Sequence, residues 1–149
     1  MEKLNFNITI DAPREKVWKV LWDDATYPKW TSAFSETSYA ETDWQEGSKV
    51  LFGDGSGNGM VSRIAVKREN EFLSFEHLGE LKDGVEIPNS DWAGAREEYT
   101  LKTVGGKTEL HVEMDSDGGE FAEMFKGMWP RALAILKELS ESSAVFDGK

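Results

Sequence analysis

The sequence predicts an α+β fold in which a curved, seven-stranded, mostly antiparallel sheet wraps one long C-terminal helix, with two short helices after the first strand. Three observations predict it. Apolar and polar residues alternate from Leu4 to Ile10, the two-residue period of a half-buried strand. Six further stretches of strand character follow between Glu36 and Asp115, separated by turn-forming clusters. From Gly119 to Glu141, Phe121, Met124, Phe125, Met128, Ala132, Ile135, Leu136 and Leu139 recur at three- and four-residue steps, so a helix gathers them onto one apolar stripe. Such a helix is roughly 33 Å long and needs a concave apolar partner, which a twisted sheet supplies.

Each element has its own local reason. Leu4, Phe6, Ile8 and Ile10 alternate with Asn5, Asn7 and Thr9 to make the first strand. Pro13 suits a first helical position and Glu15 the first turn, while Val17, Trp18, Leu21 and Trp22 form an apolar face, so a helix is predicted over Pro13 to Asp23. Asp24 to Phe34, with Pro28 between Tyr27 and Trp30, reads as a second short helix that turns the chain back. The six strands are placed at Glu36 to Asp43, Ser48 to Phe52, Gly59 to Lys67, Phe72 to Leu81, Ala95 to Val104 and Lys107 to Asp115. Leu81 to Gly94 reads as a long loop in which Trp92 either anchors the loop or closes over a pocket. Pro130 removes one backbone hydrogen bond inside the long helix and predicts a bend, and the tail after Ser140 is expected to fray. No period repeats and no linker divides the chain, so one domain over residues 1–149 is expected.

Composition excludes several function classes. The net charge of -11 repels phosphate backbones and anionic headgroups, and no basic run interrupts it, so no nucleic-acid partner is expected. There are no cysteines, which removes disulfides, thiolate catalysis and cysteine metal sites. No run of eighteen apolar residues occurs, so no stable membrane insertion is expected, and the N-terminus lacks the pattern of an export signal, which reads as cytoplasmic. Six Trp and eight Phe are rings enough to fill a core or to line a pocket.

Strand parity assigns faces. Met60, Ile64 and Val66, then Leu73, Phe75 and His77, then Tyr99 and Leu101, then Leu110, Val112 and Met114 are expected to face the long helix. Glu97 shares the parity of Tyr99, and an inward carboxylate needs a partner or a wet cavity. His77 and His111, the two histidines, fall on opposite faces and cannot share a metal. The loop Gly53 to Gly59 lacks the Lys-Ser/Thr of a phosphate loop. Its resemblance to the start of a calcium loop fails at Ala65, where a bidentate Glu is required, so it reads as a hairpin turn. His77 with Glu97 and Tyr99 is the one set of titratable groups fit for proton transfer in an apolar cavity, and equally a satisfied polar cluster or a handle for a ligand. No nucleophile elbow, zinc-protease motif or dinucleotide fingerprint occurs, so no catalytic residue is assigned and no cofactor or metal is expected.

IDAPREKVW from Ile10 to Trp18, then Tyr27, Lys29 and Trp30, the turn at Gly47, and GMWPRALAILKEL from Gly127 to Leu139 together resemble the SRPBCC superfamily, the START-like or birch-pollen-allergen-like proteins. Within it they resemble the homologues of the heat-shock-protein ATPase activator. Order and spacing carry the resemblance, which covers nearly the whole chain. It implies a helix-grip fold and a cavity between sheet and C-terminal helix that takes lipids, sterols or polyketides in various members. Carried over, the cavity is bounded by Trp30, Phe34, Phe52, Met60, Phe75, His77, Tyr99, Met124, Met128 and Trp129, with Glu97 beside them. The expected function is therefore a module that binds a small apolar or aromatic ligand. The alternatives are a cyclase- or dehydratase-like enzyme using His77 and Glu97, or a protein-interaction module with a chaperone partner. The acidity of the chain counts against the last of these.

Overall fold

A computed structural model describes residues 2–23, 25–33, 37–88, 94–116 and 120–142. The elements run β1 (Glu2–Ile10), α1 (Arg14–Trp22), α2 (Tyr27–Trp30) with a following 3-10 turn (Thr31–Ala33), β2 (Tyr39–Glu41), β3 (Lys49–Gly53), β4 (Gly59–Arg68), β5 (Phe72–Lys82), β6 (Val85–Pro88), β7 (Arg96–Val104), β8 (Lys107–Ser116) and α3 (Glu120–Glu141). The strands form one antiparallel sheet in the order β1-β8-β7-β5-β4-β3-β2, and β6 pairs with the end of β5. This is the helix-grip architecture with eight strands rather than the seven predicted.

The extra strand lies in the stretch read as a loop. Asp83 and Gly84 take φ of 51° and 79°, so Lys82 and Val85 close a tight hairpin. Asp-Gly is the strongest short hairpin signal a sequence offers, because both central residues need positive φ. Trp92, read as anchoring that loop or closing over a pocket, falls outside the described residues, as does the tail beyond residue 142. Pro13 is the extended N-cap of α1 instead of its first residue, and its carbonyl accepts the Val17 N–H at 3.1 Å.

One bulge corrects the face assignment. Between Ile64 and Val66, β4 carries one residue more than β5, so Val66 stands opposite Ser74. Ser74 lies on the outer face, where its Oγ donates to Glu98 at 2.9 Å. Val66 therefore points away from the helix, because one inserted residue reverses a two-residue alternation. A second irregularity leaves Leu78 unpaired between His77 and Gly79, and Leu78 is exposed.

The buried stripe of α3 is Trp129, Ala132, Leu133 and Leu136, with Ile135 and Leu139 at its edges. It is rotated slightly from the predicted stripe, which contained neither Trp129 nor Leu133. The side chains of Phe121, Met124 and Phe125 lie outside those described. The stripe faces Val17, Trp18, Leu21 and Trp22 of α1 and the inner side chains of the sheet in one apolar cluster. Among the described residues no helix is long and apolar enough to cross a membrane.

Candidate functional site

Ser62, His77, Glu97 and Tyr99 meet on the inner face of the sheet. Register explains the meeting: Ser62 stands opposite His77, and Glu97 stands opposite Phe75, two residues before Tyr99 on the same face. Ser62 Oγ lies 2.7 Å from His77 Nδ1, and His77 Nε2 lies 3.6 Å from Glu97 Oε1. The second carboxylate oxygen accepts the hydrogen bond that the Tyr99 hydroxyl donates. Ser62, His77 and Tyr99 are buried, whereas the Glu97 side chain keeps 21% of its exposure. The carboxylate is thus where this buried cluster reaches solvent.

Aromatic rings surround the cluster. Tyr99 meets the edge of Trp22 at 4.9 Å and of Phe75 at 6.1 Å, and Phe75 meets Phe52 at 5.0 Å and Trp22 at 5.5 Å. Trp129 of α3 bridges Tyr99, Trp30 and Phe6. The Trp22 Nε1 proton is buried without a hydrogen-bond partner among the described residues.

Burial pushes the Tyr27 hydroxyl far up, and the Glu97 charge adds to it. Burial does the same to Tyr99, reinforced by Glu97 and then by Tyr27. Both phenols therefore stay protonated at every physiological pH, and that of Tyr99 donates to Glu97. Because their folded pKa values lie above the ordinary 10.0, the stability they contribute is fully present below pH 10 and is lost as pH rises beyond it. Two of the three tyrosines are expected to release phenolate absorbance only in the same step that unfolds the chain. Ionisation of all three near pH 10 with the far-ultraviolet spectrum unchanged would contradict their burial.

The remaining predicted residues distribute as follows. Trp30 is buried and its Nε1 donates to the Leu21 carbonyl at 3.1 Å, so its polar edge is satisfied within the fold. Phe52 is half-buried, and Met60 stands opposite it on the same face. Met128 is half-buried beside the fully enclosed Trp129. Phe34 and the side chain of Met124 lie outside the described residues. Four participants were not singled out from sequence as site residues: Ser62, Tyr27, Trp22 and Trp44. Ser62 had a signal, a hydroxyl at the inward parity of Met60 and Ile64. Trp44 had none, since its position depends on a left-handed backbone at φ 61°.

His111 lies on the outer face, its Nε2 3.0 Å from Asn5 Oδ1, far in function from His77. In the loop after β3, Asp54 Oδ1 accepts the Ser56 N–H at 2.8 Å and Asn58 Nδ2 donates to Ser56 Oγ at 3.2 Å, so these side chains stabilise the turn itself. Among the described residues no three His, Asp or Glu side chains are grouped to hold a metal.

Solved structures share the fold. The Aha1 dimer of Colwellia psychrerythraea superposes with a TM-score of 0.75 at 22% identity, over 95% of this chain and 97% of that one. A protein of the dynemicin biosynthetic locus gives 0.70 at 16% identity, over 95% of this chain and 48% of the other. A protein from Micromonospora echinospora gives 0.67 at 18% identity, over 93% and 76%. Among curated proteins no match is found. The family described as "Activator of Hsp90 ATPase homolog 1-like protein" matches residues 11–141, from just after β1 to the end of α3, and the chain belongs to that family.

Proposed function

We propose that this protein binds a small, largely apolar aromatic molecule between the sheet and α3, and that Glu97 reads one polar group on it. The observation that carries this reading is the placement of Glu97, a partly exposed carboxylate set in a wall of aromatic rings and held by Tyr99 and His77. A carboxylate costs free energy in such surroundings unless something polar approaches it. The unpartnered Trp22 N–H on the neighbouring ring offers the complementary donor. A phenol or enol hydroxyl would satisfy Glu97, and a carbonyl would satisfy Trp22. Fatty acids fit less well, because their carboxylate would meet Glu97 with like charge. Phe52, Met60, Phe75, Met128 and Trp129 supply the apolar walls in this reading, with Trp30 behind them.

A second reading is favoured by the Ser62–His77–Glu97 chain. Ser62 fixes the imidazole so that Nε2 faces the carboxylate, an arrangement suited to moving a proton in a cyclisation or dehydration of a polyketide-like substrate. The locus of one structural neighbour, dynemicin biosynthesis, accords with that chemistry. The family description accords with a chaperone partner instead, against which the net charge of -11 argues when the partner surface is acidic.

The test is an NMR titration of the labelled protein against fatty acids, sterols and flavonoid-like aromatics. Hydroxylated aromatics are expected to give saturable shifts centred on Phe75, Tyr99 and Met128. Glu97→Gln should weaken them about tenfold or more, the worth of one charged hydrogen bond. Met128→Trp should block binding by filling the space beside Trp129. Retention of full affinity in both folded variants would overturn the placement. Turnover of a hydroxylated ligand that is lost in His77→Gln would establish the second reading.

A further inference from the structure

The strand β1 stands at one end of the sheet and pairs with β8 alone, through nine consecutive residue pairs with no bulge among them. A strand paired on one side directs the other half of its backbone N–H and C=O groups at its free side. The remaining free strands are blunted. β2 is three residues long, and β6 is four residues long and ends in Pro88, which has no N–H. Near the end of β1 the Thr9 carbonyl accepts from Lys137 Nζ at 3.2 Å, so α3 closes the edge there. Over residues 3–8, among the described residues, no backbone group bonds outside the ladder with β8.

This open stretch is self-complementary. Leu4-Asn5-Phe6-Asn7-Ile8 reads almost the same in both directions about Phe6. Antiparallel pairing of two copies about a two-fold axis at Phe6 therefore sets Asn5 against the partner's Asn7, Leu4 against the partner's Ile8 and Phe6 against the partner's Phe6. None of these five residues is charged and none is proline, the two devices that usually keep edges apart. Lys3 falls opposite the partner's Thr9, and its Nζ already lies 2.7 Å from Asp115.

Both faces suit the pairing. Asn5 and Asn7 are exposed on the outer face, and their Oδ1 atoms lie 3.0 Å and 2.5 Å from the two ring nitrogens of His111. Each amide NH2 is left without a partner among the described residues, available to a facing amide. On the inner face Phe6 and Ile8 are only half-buried, although Phe6 stacks on Trp129 at 5.8 Å. A further strand beside them would cover apolar surface that the fold leaves open.

We propose that β1 is a dimerisation edge, along which two copies of this chain join antiparallel over residues 4–8 and continue one sheet into the other. An extended basic peptide is the rival occupant, since a net charge of -11 attracts it, but residues 3–10 of the edge hold no carboxylate to receive it. The contact is short, so the dimer is weak, with Kd in the micromolar range or above, as small interfaces are. Two acidic chains repel one another, so association tightens as salt screens them.

Sedimentation velocity of the full chain from about 1 μM to 1 mM, at low and high salt, is the test. A reversible dimer is expected that tightens with salt and slows amide exchange along β1. The variant combining Asn5→Lys and Asn7→Lys sets lysine against lysine at both symmetric contacts and should weaken the dimer about tenfold or more. The variant combining Asn5→Lys and Asn7→Asp sets lysine against aspartate and should restore it, because only the register about Phe6 brings position 5 to position 7. These positions are exposed, so both variants are expected to keep the parent's far-ultraviolet spectrum. A chain that stays monomeric at the highest concentration and salt would overturn the proposal. So would a dimer that survives the double-lysine variant, or one that the lysine–aspartate variant fails to restore. No ligand takes part, so a negative result here leaves the inner site untouched, and the panel of aromatics tests that site separately.

Discussion

Replacing Phe75 by Ala is expected to lower the free energy of unfolding by about 4 kcal/mol, the cost of emptying a ring-sized site in a core that relaxes only partly. Phe75 is fully buried at the centre of β5, and its ring meets those of Trp22, Trp44, Phe52 and Tyr99 between 5.0 and 6.3 Å. Each of those neighbours comes from a different element, so none can swing into the vacancy without leaving another contact. A loss of that size is a large share of an ordinary domain's stability. Phe75→Leu keeps most of the volume and should cost about 1.5 kcal/mol or less. Denaturant unfolding of the two variants decides the matter. A cost below about 2 kcal/mol for the alanine variant would mean that the rings are loosely arranged and that Phe75 is a wall of open space. The same variant should perturb ligand shifts at Tyr99, since one side of that ring rests on Phe75.

Gly59→Ala is expected to cost about 3 kcal/mol through a backbone clash. A Cβ at Gly59 would sit 1.8 Å from the Phe52 carbonyl oxygen and 2.9 Å from the Gly53 Cα. These are backbone atoms of the paired strand, so relief requires opening the β3–β4 hairpin. That hairpin is itself tied to the β5–β6 turn, because Gly84 N–H donates to the Gly57 carbonyl at 2.8 Å and Asp83 N–H to Asn58 Oδ1 at 3.2 Å. Phe52 and Met60 flank the strained pair, so the damage reaches the proposed site. Gly105→Ala is the control: it meets nothing within 4 Å and carries only the cost of φ 57°, about 1 kcal/mol. If Gly59→Ala unfolds no more easily than Gly105→Ala, the close approach of the two strands is wrong.

Both substitutions act where stability and the proposed function share residues. The rings that close the core around Phe75 are the ones that would touch a ligand, and the hairpin that carries Phe52 also carries Met60. A variant meant to probe binding must therefore change Glu97 or Met128, whose exposure lets the fold survive the change.

Much of the fold was legible before any coordinates. The alternation from Leu4 to Ile10 and the stripe from Met128 to Leu139 are periodic over many residues, and long periods survive tertiary context. Glu97, His77 and Tyr99 could be placed on one face because no bulge interrupts β7 between residues 97 and 99 or β5 between 73 and 77. The strand β6 was missed although Asp83-Gly84 announced it, because Val85 to Pro88 is too short for a period to show. Val66 was misplaced because a bulge leaves no mark in an alternating pattern.

By itself the sequence determined which residues are apolar, where turns must fall, that the chain is acidic, and that a carboxylate and an imidazole lie at inward positions. Those are properties of single residues and of their neighbours along the chain. Only the tertiary structure decided that Ser62 sits 2.7 Å from His77, that Trp44 turns left-handed to reach Trp22 and Tyr27, and that Tyr39 lies on Gly53. Each of these joins residues on different strands or loops, where register and bulges set the distance. Register is a property of the whole sheet, held by every pair at once, and no local stretch of sequence contains it.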